Sequence, residues 1–364
     1  NNNEKSLKES KSKIIVPIIL SSLVTLIITF SVGYFYCENY LNKGITKTKL
    51  QKDVTVTDEG IADAVEKIYD AVVVVENYNN GTLYSTGTGF IYKKDNKKAY
   101  ILTNYHVINN ASEIYVIDTD DVKTKVELVG GDEYSDIAVL SIDVKEDIAV
   151  AAIGSSEDLR VGDTTFAVGA PLDAATYSWT VTRGILSGKN RLVEVKTSSS
   201  SASNYVIEVL QTDAAINSGN SGGPLCNSNG DVIGITNMKI ASSSVEGMGF
   251  AIPIEIAMEY ADKYIKGEEI IRPYLGVSMY DATSKYNKSE KGVYIQAVEE
   301  NSAAAEAGLQ KGDVIIKIDD TAITSSAYLK YELFKHNVGD VVKITFKRGT
   351  ETKTVDVKLK RIEN

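Results

Sequence analysis

This sequence predicts a mainly β chain preceded by one transmembrane helix. Three features carry that expectation. Short strand-like runs, punctuated by Gly, Asn and Asp, recur from Ala71 onward with few helical stretches among them. They do not alternate with helices, as the strands of a parallel sheet would. The stretch Ile14–Tyr36 contains no charged residue. At 364 residues the chain has room for two domains and a tail, and 43% hydrophobic with 24% charged residues is a globular balance. A formal net charge of −10 argues against nucleic acid as a partner. The two cysteines, Cys37 and Cys226, are far apart and in no CxxC pair, so neither a disulfide framework nor a metal site is expected.

Taken in order, residues 1–13 are polar and carry Lys5, Lys8, Lys11 and Lys13. As a helix, 14–36 would be roughly 35 Å long against a hydrocarbon core of about 30 Å. Pro17 falls in its first turn, where a missing N–H matters little. Tyr34, Phe35 and Tyr36 stand where an interfacial aromatic belt would. The lysines before the span place 1–13 in the cytoplasm, as a tail, and the rest of the chain outside a cell membrane, with a Gram-positive bacterial surface as the expected setting. A cleaved signal peptide is disfavoured, because its apolar region would be shorter and end in small residues. The bulky aromatics before Cys37 likewise disfavour a lipoprotein. Residues 37–57 are polar and dotted with lysine, and are expected to be an exposed linker.

Thr57 or Asp58 is expected to cap a short helix with Ile61, Val65 and Ile68 on one face. Strands are expected at Ala71–Val75, Gly87–Tyr92, Ala99–Thr103, Glu113–Ile117, Ile137–Ile142 and Thr164–Val168. The chemistry centres on Gly219-Asn220-Ser221-Gly222-Gly223-Pro224-Leu225. A serine hydroxyl becomes a nucleophile when a base takes its proton. Flanking glycines allow a sharp turn that aims N–H groups at an oxyanion. Read alone, the segment is equally a Gly-rich turn between strands. His106 follows the strand Ala99–Thr103 and is the one histidine of this half of the chain. Asp136 leads straight into an apolar strand, as a partly buried carboxylate that orients an imidazole would. Asp118, Asp120, Asp121, Asp132 and Asp143 sit in polar clusters or at a strand's end and read as solvated loop residues. A G-x-S-x-G elbow of α/β-hydrolase type is formally present, but the residues after Pro224 read as strand and turn rather than helix.

The order His106, Asp136, Ser221 is that of the chymotrypsin-type triad. With it, the segments Thr103–Val107, Asp136–Leu140, Ile153–Ser156, Gln211–Leu225 and Gly247–Pro253 resemble the HtrA/DegP family of serine proteases. That resemblance implies a chymotrypsin-like double β-barrel over 58–267. It implies Ser221 as nucleophile, His106 as general base, Asp136 as its partner, and the N–H groups of Gly219 and Ser221 as oxyanion hole. It also implies a pocket lined by Ile216 and by Met238 within Thr236–Ile240, although Lys239 stands where an apolar residue is usual. Ala215 occupies the place where trypsin-like enzymes carry a specificity Asp, so an apolar residue is expected before the scissile bond. Two positions depart from the family: Ser218 stands for the common Pro, and Ala170 for the common Asn before Pro171. The segment from Pro171 to Gly184, with Trp179, is unusual, and Ser198–Ser203 reads as a surface loop. Cys226 reads as a small core residue.

After Pro253 the pattern gives an amphipathic helix from Ile254 to about Ile265, closed by Gly267, then a hinge at Glu268–Pro273. Strand-like runs at Val293–Val298, Val314–Ile318, Val341–Lys347 and Thr354–Leu359, with a helix at Ser326–Lys335, make 268–364 similar to a PDZ domain. The resemblance implies that Tyr274, Leu275, Gly276 and Val277 form the loop that binds a peptide C-terminus. His336, at that helix's end, reads as a surface residue. The expected function is membrane-anchored, extracytoplasmic proteolysis of misfolded or damaged proteins through an acyl-enzyme, without cofactor. Chaperone-like binding and trimers or higher oligomers are implied by the family. The alternative is a PDZ-dependent scaffold with a latent protease domain.

Overall fold

The computed structural model describes residues 2–36, 58–144, 147–169, 179–195, 204–237, 247–282 and 291–361, with side chains among residues 2–36 limited to Pro17 and 20–36, and from residue 60 in the next helix. The linker 37–57 with its Thr57 cap, Met238 and Lys239, the segment before Trp179 and Ser198–Ser203 lie outside the described residues. The chain divides into two units, Asn1–Val56 and Thr57–Asn364.

The first unit contains helix α1, Asn2–Tyr36. Here the transmembrane expectation, and the cell-membrane placement built on it, is corrected. Among the described residues no helix is long and apolar enough to cross a membrane. The apolar character of the stretch Leu20–Tyr36 is interrupted by hydroxyls, and those of Thr25 and Thr29 bond back to carbonyls one turn earlier.

In the second unit, helix α2 (Asp58–Tyr69) puts Ile61, Val65 and Ile68 on its packed face, as the spacing predicts. Seven antiparallel strands follow: β1 Val72–Asn79, β2 Thr82–Lys94, β3 Lys98–Thr103, β4 Glu113–Ile117, β5 Lys123–Lys125, β6 Glu127–Asp132 and β7 Ile137–Asp143, in the order β5-β4-β1-β2-β3-β7-β6. A one-turn helix, α3 (Tyr105–Ile108), leaves the end of β3. A closed barrel comes next: β8 Thr164–Gly169, β9 Thr180–Val195, β10 Tyr205–Thr212, β11 Pro224–Asn227, β12 Val232–Thr236 and β13 Gly249–Pro253. Inward Val73, Val75, Ile91, Ile101 and Leu140 fill the first sheet, while Phe90, Leu102, Ile137, Phe166 and Ile252 form the core shared by the two sheets. Full burial of a large apolar side chain stabilises by about 1.5–3 kcal/mol. Phe90 and Phe166 are both 0% exposed, which makes this shared core the main fastening between the sheets.

Helix α4 (Ile254–Ile265) buries Ile254, Ala257, Ala261 and Tyr264. The C-terminal domain then places β14 Pro273–Tyr274, β15 Val277–Asp281, β16 Val293–Val298, helix α5 Ala303–Glu306, β17 Val314–Ile318, β18 Thr321–Ala322, helix α6 Ser326–Leu333, β19 Val341–Arg348, β20 Glu351–Lys358 and β21 Lys360–Arg361. Its sheet runs β15-β16-β17-β19-β20, which leaves β15 as an edge strand. The four strands and the helix expected there are present. Helix α6 is capped by Ser325, whose hydroxyl accepts from Tyr328 N–H.

Candidate active site

Asp136 sits in the turn between β6 and β7 with φ +54°, in the left-handed region. It is 1% exposed. Such a conformation persists only where the surroundings over-determine it, and here they do. The Asp136 carbonyl accepts from Tyr105 N–H at 3.1 Å and from Asn104 Nδ2 at 3.0 Å. Its carboxylate accepts three times: Oδ1 from His106 N–H at 2.8 Å, and Oδ2 from His106 Nδ1 and from Asn237 Nδ2, each at 2.7 Å. The bond to Oδ2 fixes the imidazole with its proton on Nδ1, leaving Nε2 as the basic nitrogen.

His106 lies one residue into α3 rather than simply at a strand end. Two side chains hold that turn from beneath. Asn77 Nδ2 donates to the carbonyls of Val107 and Asn109, both at 3.0 Å, and Ser85 Oγ donates to Val107 O at 3.1 Å. Sequence reasoning missed Asn77, Asn104 and Asn237. The available signal was an asparagine just past or within an apolar strand, where a buried amide needs partners.

Ser221 is 5% exposed and lies between β10 and β11. Its loop is stitched to the first sheet through Thr88, whose N–H donates to Ser221 O at 2.9 Å and whose hydroxyl donates to Gly219 O at 2.6 Å. On the barrel side, Gly222 N–H donates to Thr236 O at 2.9 Å, and Thr236 Oγ1 bonds Asn220 O at 2.5 Å. Gly222 has φ +86°, and a Cβ there would meet Thr88 O and Thr103 Oγ1. The glycine is what lets the loop carrying Ser221 pass close to Thr88, Thr103 and Asn104. Gly222→Ala is expected to destabilise the protein by at least about 2 kcal/mol through backbone strain and overlap. Urea denaturation checks this, and an unchanged midpoint would refute it.

Gly219 has φ +103°, and its N–H has no backbone acceptor among the described residues, as a donor kept for an oxyanion requires. Ile216 is half-buried against the barrel cluster that includes Leu186 and Leu210, and a Cβ at Gly249 would come within 2.6 Å of its Cγ1. The Ala215 carbonyl accepts from Thr182 Oγ1 at 2.9 Å. Cys226 is a fully buried core residue whose thiol is pushed far up by burial. His336 lies in the C-terminal domain, 3.6 Å from Asp319.

The second cluster lies on the C-terminal domain. The carbonyls of Leu275 and Gly276 turn into the domain, accepting from Ala304 N–H at 2.8 Å and Glu299 N–H at 2.9 Å. Gly276 has φ +77°, and Ser302 occupies the space a Cβ would need. Tyr274 donates to Glu299 at 2.5 Å, and burial, then this carboxylate, pushes its phenol up to about 12. Tyr274, Leu275 and Val277 border a cavity of about 150 Å³ between the β15 edge and α6.

Comparison with known proteins gives two family matches: a trypsin-like peptidase domain over 87–235 and a PDZ domain over 273–359. The chain is 38% identical to "Serine protease Do-like HtrA" of Lactococcus lactis subsp. lactis (strain IL1403), covering 83% of each sequence. It is 39% identical to the protein of the same name from Bacillus subtilis (strain 168), covering 83% of this chain and 73% of that one. Among solved structures it is similar to "HtrA-type protease AlgW with decapeptide", at 28% identity and a TM-score of 0.64, covering 84% of this chain and 99% of the other.

Proposed function

The chain belongs to the HtrA family of serine proteases and is a serine endopeptidase with a PDZ domain, and from that premise we propose that Ser221, His106 and Asp136 form its catalytic triad. The observation that carries this reading is the 2.7 Å bond from His106 Nδ1 to a buried Asp136 that Asn237 holds from the other side. Ser221 Oγ attacks the scissile carbonyl carbon and its proton passes to His106 Nε2. The N–H groups of Gly219 and Ser221 stabilise the oxyanion. The C–N bond breaks as His106 returns the proton to the leaving amine, and water then releases the acyl group by the same steps in reverse. Asp136 keeps the imidazole in the needed tautomer and stabilises its cation.

The substrates are unfolded or damaged proteins cut after apolar residues. Ala215, which brings no charge to the base of the pocket, and Ile216, which narrows it, support this preference. The loop Tyr274–Val277 and the β15 edge take peptide C-termini, a reading supported by the peptide complex reported for the AlgW relative. Assembly into trimers or higher oligomers and chaperone-like binding complete the proposal. Unfolded casein is the test substrate. The full chain is expected to cleave it and Ser221→Ala is not. Cleavage by both would remove Ser221 from the nucleophile's role. Cleavage by neither, even with an apolar C-terminal peptide added, would favour a binding scaffold with a latent protease domain.

A further inference from the structure

We propose that the peptide groove of the C-terminal domain is a composite site, in which Tyr134 of the protease domain, packed against Arg272 and Phe334, forms the wall that meets the last side chain of a bound peptide. The proposal rests on the reading of this groove as a site for peptide C-termini.

The groove has the chemistry of such a ligand on its own side. β15 is a sheet edge able to pair with an added strand. The N–H groups of Leu275 and Gly276 have no backbone acceptor among the described residues, while their carbonyls are committed inward. Donors of that kind fit a terminal carboxylate. Val277, Met279, Leu329 and Leu333 line the cavity and fit an apolar last side chain. Arg272, paired with Asp132, and Lys330 stand at its border.

The remaining wall comes from elsewhere in the chain. Tyr134 lies between β6 and β7, yet borders this cavity. Its ring meets Phe334 of the C-terminal domain edge-on at 5.5 Å and Tyr205 of β10 at 5.8 Å. The Arg272 guanidinium lies 5.2 Å from the Tyr134 ring centre and 5.1 Å from that of Phe334. Asp132 grips the same guanidinium with both oxygens, at 2.6 and 2.7 Å. The wall is therefore held on three sides and does not swing freely. A cavity of about 150 Å³ accepts a benzene-sized group, so Leu or Phe fits and the indole of Trp requires Tyr134 to move.

This placement gives Tyr134 two roles. It sets which last residue binds, and it brings that residue to the turn that carries Asp136. Asp132 Oδ2 closes this turn by accepting from Ser135 N–H at 2.6 Å. A side chain that presses on Tyr134 presses on the turn that presents Asp136 to His106.

The test uses the full chain with Ser221→Ala and fluorescein-labelled decapeptides differing only in the last residue, Leu or Trp, with a Leu-amide control. Anisotropy is expected to show the free Leu carboxylate bound and the amide not. Adding Tyr134→Ala is expected to lower the preference for Leu over Trp about tenfold, the scale set by reshaping an apolar pocket. A merely structural role would weaken both peptides alike, and an unchanged preference overturns the proposal. A Leu peptide that binds no better than its amide overturns the peptide-site reading and the proposal with it. Photo-leucine as the last residue decides the matter without relying on the fold of Tyr134→Ala. Label on Tyr134 supports the composite wall, and label confined to residues 274–334 removes it.

Discussion

Asp136→Asn is expected to lower kcat by about 10⁴-fold while leaving the protein folded, the size of loss seen when a triad carboxylate becomes an amide. The geometry explains why the amide fits neither way round. Oδ2 accepts from both His106 Nδ1 and Asn237 Nδ2, and Oδ1 accepts from the His106 backbone N–H. If the Asn oxygen takes the Oδ2 place, its NH₂ faces the His106 N–H, donor against donor. If it is reversed, the NH₂ faces Asn237 Nδ2 and the imidazole. The second arrangement favours the tautomer with the proton on Nε2, which cannot accept from Ser221. Steady-state hydrolysis of a peptide substrate, with circular dichroism as control, measures the effect. A loss of less than tenfold in a folded variant would assign the imidazole's orientation to another group.

Arg272→Ala is expected to destabilise the protein by about 3 kcal/mol, in the range found when one partner of a buried ion pair is removed. The Arg272 and Asp132 side chains are 16% and 12% exposed, so the surviving carboxylate would lie largely out of water with Ser135 N–H as its remaining partner. Burial alone would lower the Arg272 pKa, but the Asp132 carboxylate outweighs it and the pKa is raised. The double variant Asp132→Asn/Arg272→Ala removes both charges and is expected to lose clearly less than Asp132→Asn and Arg272→Ala summed. Urea midpoints in the Ser221→Ala background give the cycle, and strict additivity would show that the pair contributes nothing as a pair.

Much of this protein follows from sequence alone, for reasons local to the chain. Strand positions were legible because alternating and continuous apolar runs bounded by Gly, Asn and Asp match the burial later found, as at Ile137–Ile142 and Val314–Ile318. The order His106, Asp136, Ser221 and the glycines around Ser221 were legible because acyl-transfer chemistry constrains residue type within short segments. The apolar run after Lys13 also had a local signal, but among the described residues no helix is long and apolar enough to cross a membrane.

What the tertiary structure decided is contact between segments remote in sequence. Asn77 under α3, Asn237 behind Asp136 and Thr88 across the Ser221 loop carry no motif, since an amide or hydroxyl reveals its partner only when folding brings the two within about 3 Å. Asp132 read as a solvated loop acid and proved to be the anchor of Arg272, because exposure depends on which domain packs against a turn and not on the residues beside it. Tyr134 is the clearest case. Its neighbours in sequence point to the proposed triad, and its neighbours in space are the walls of a cavity on the C-terminal domain.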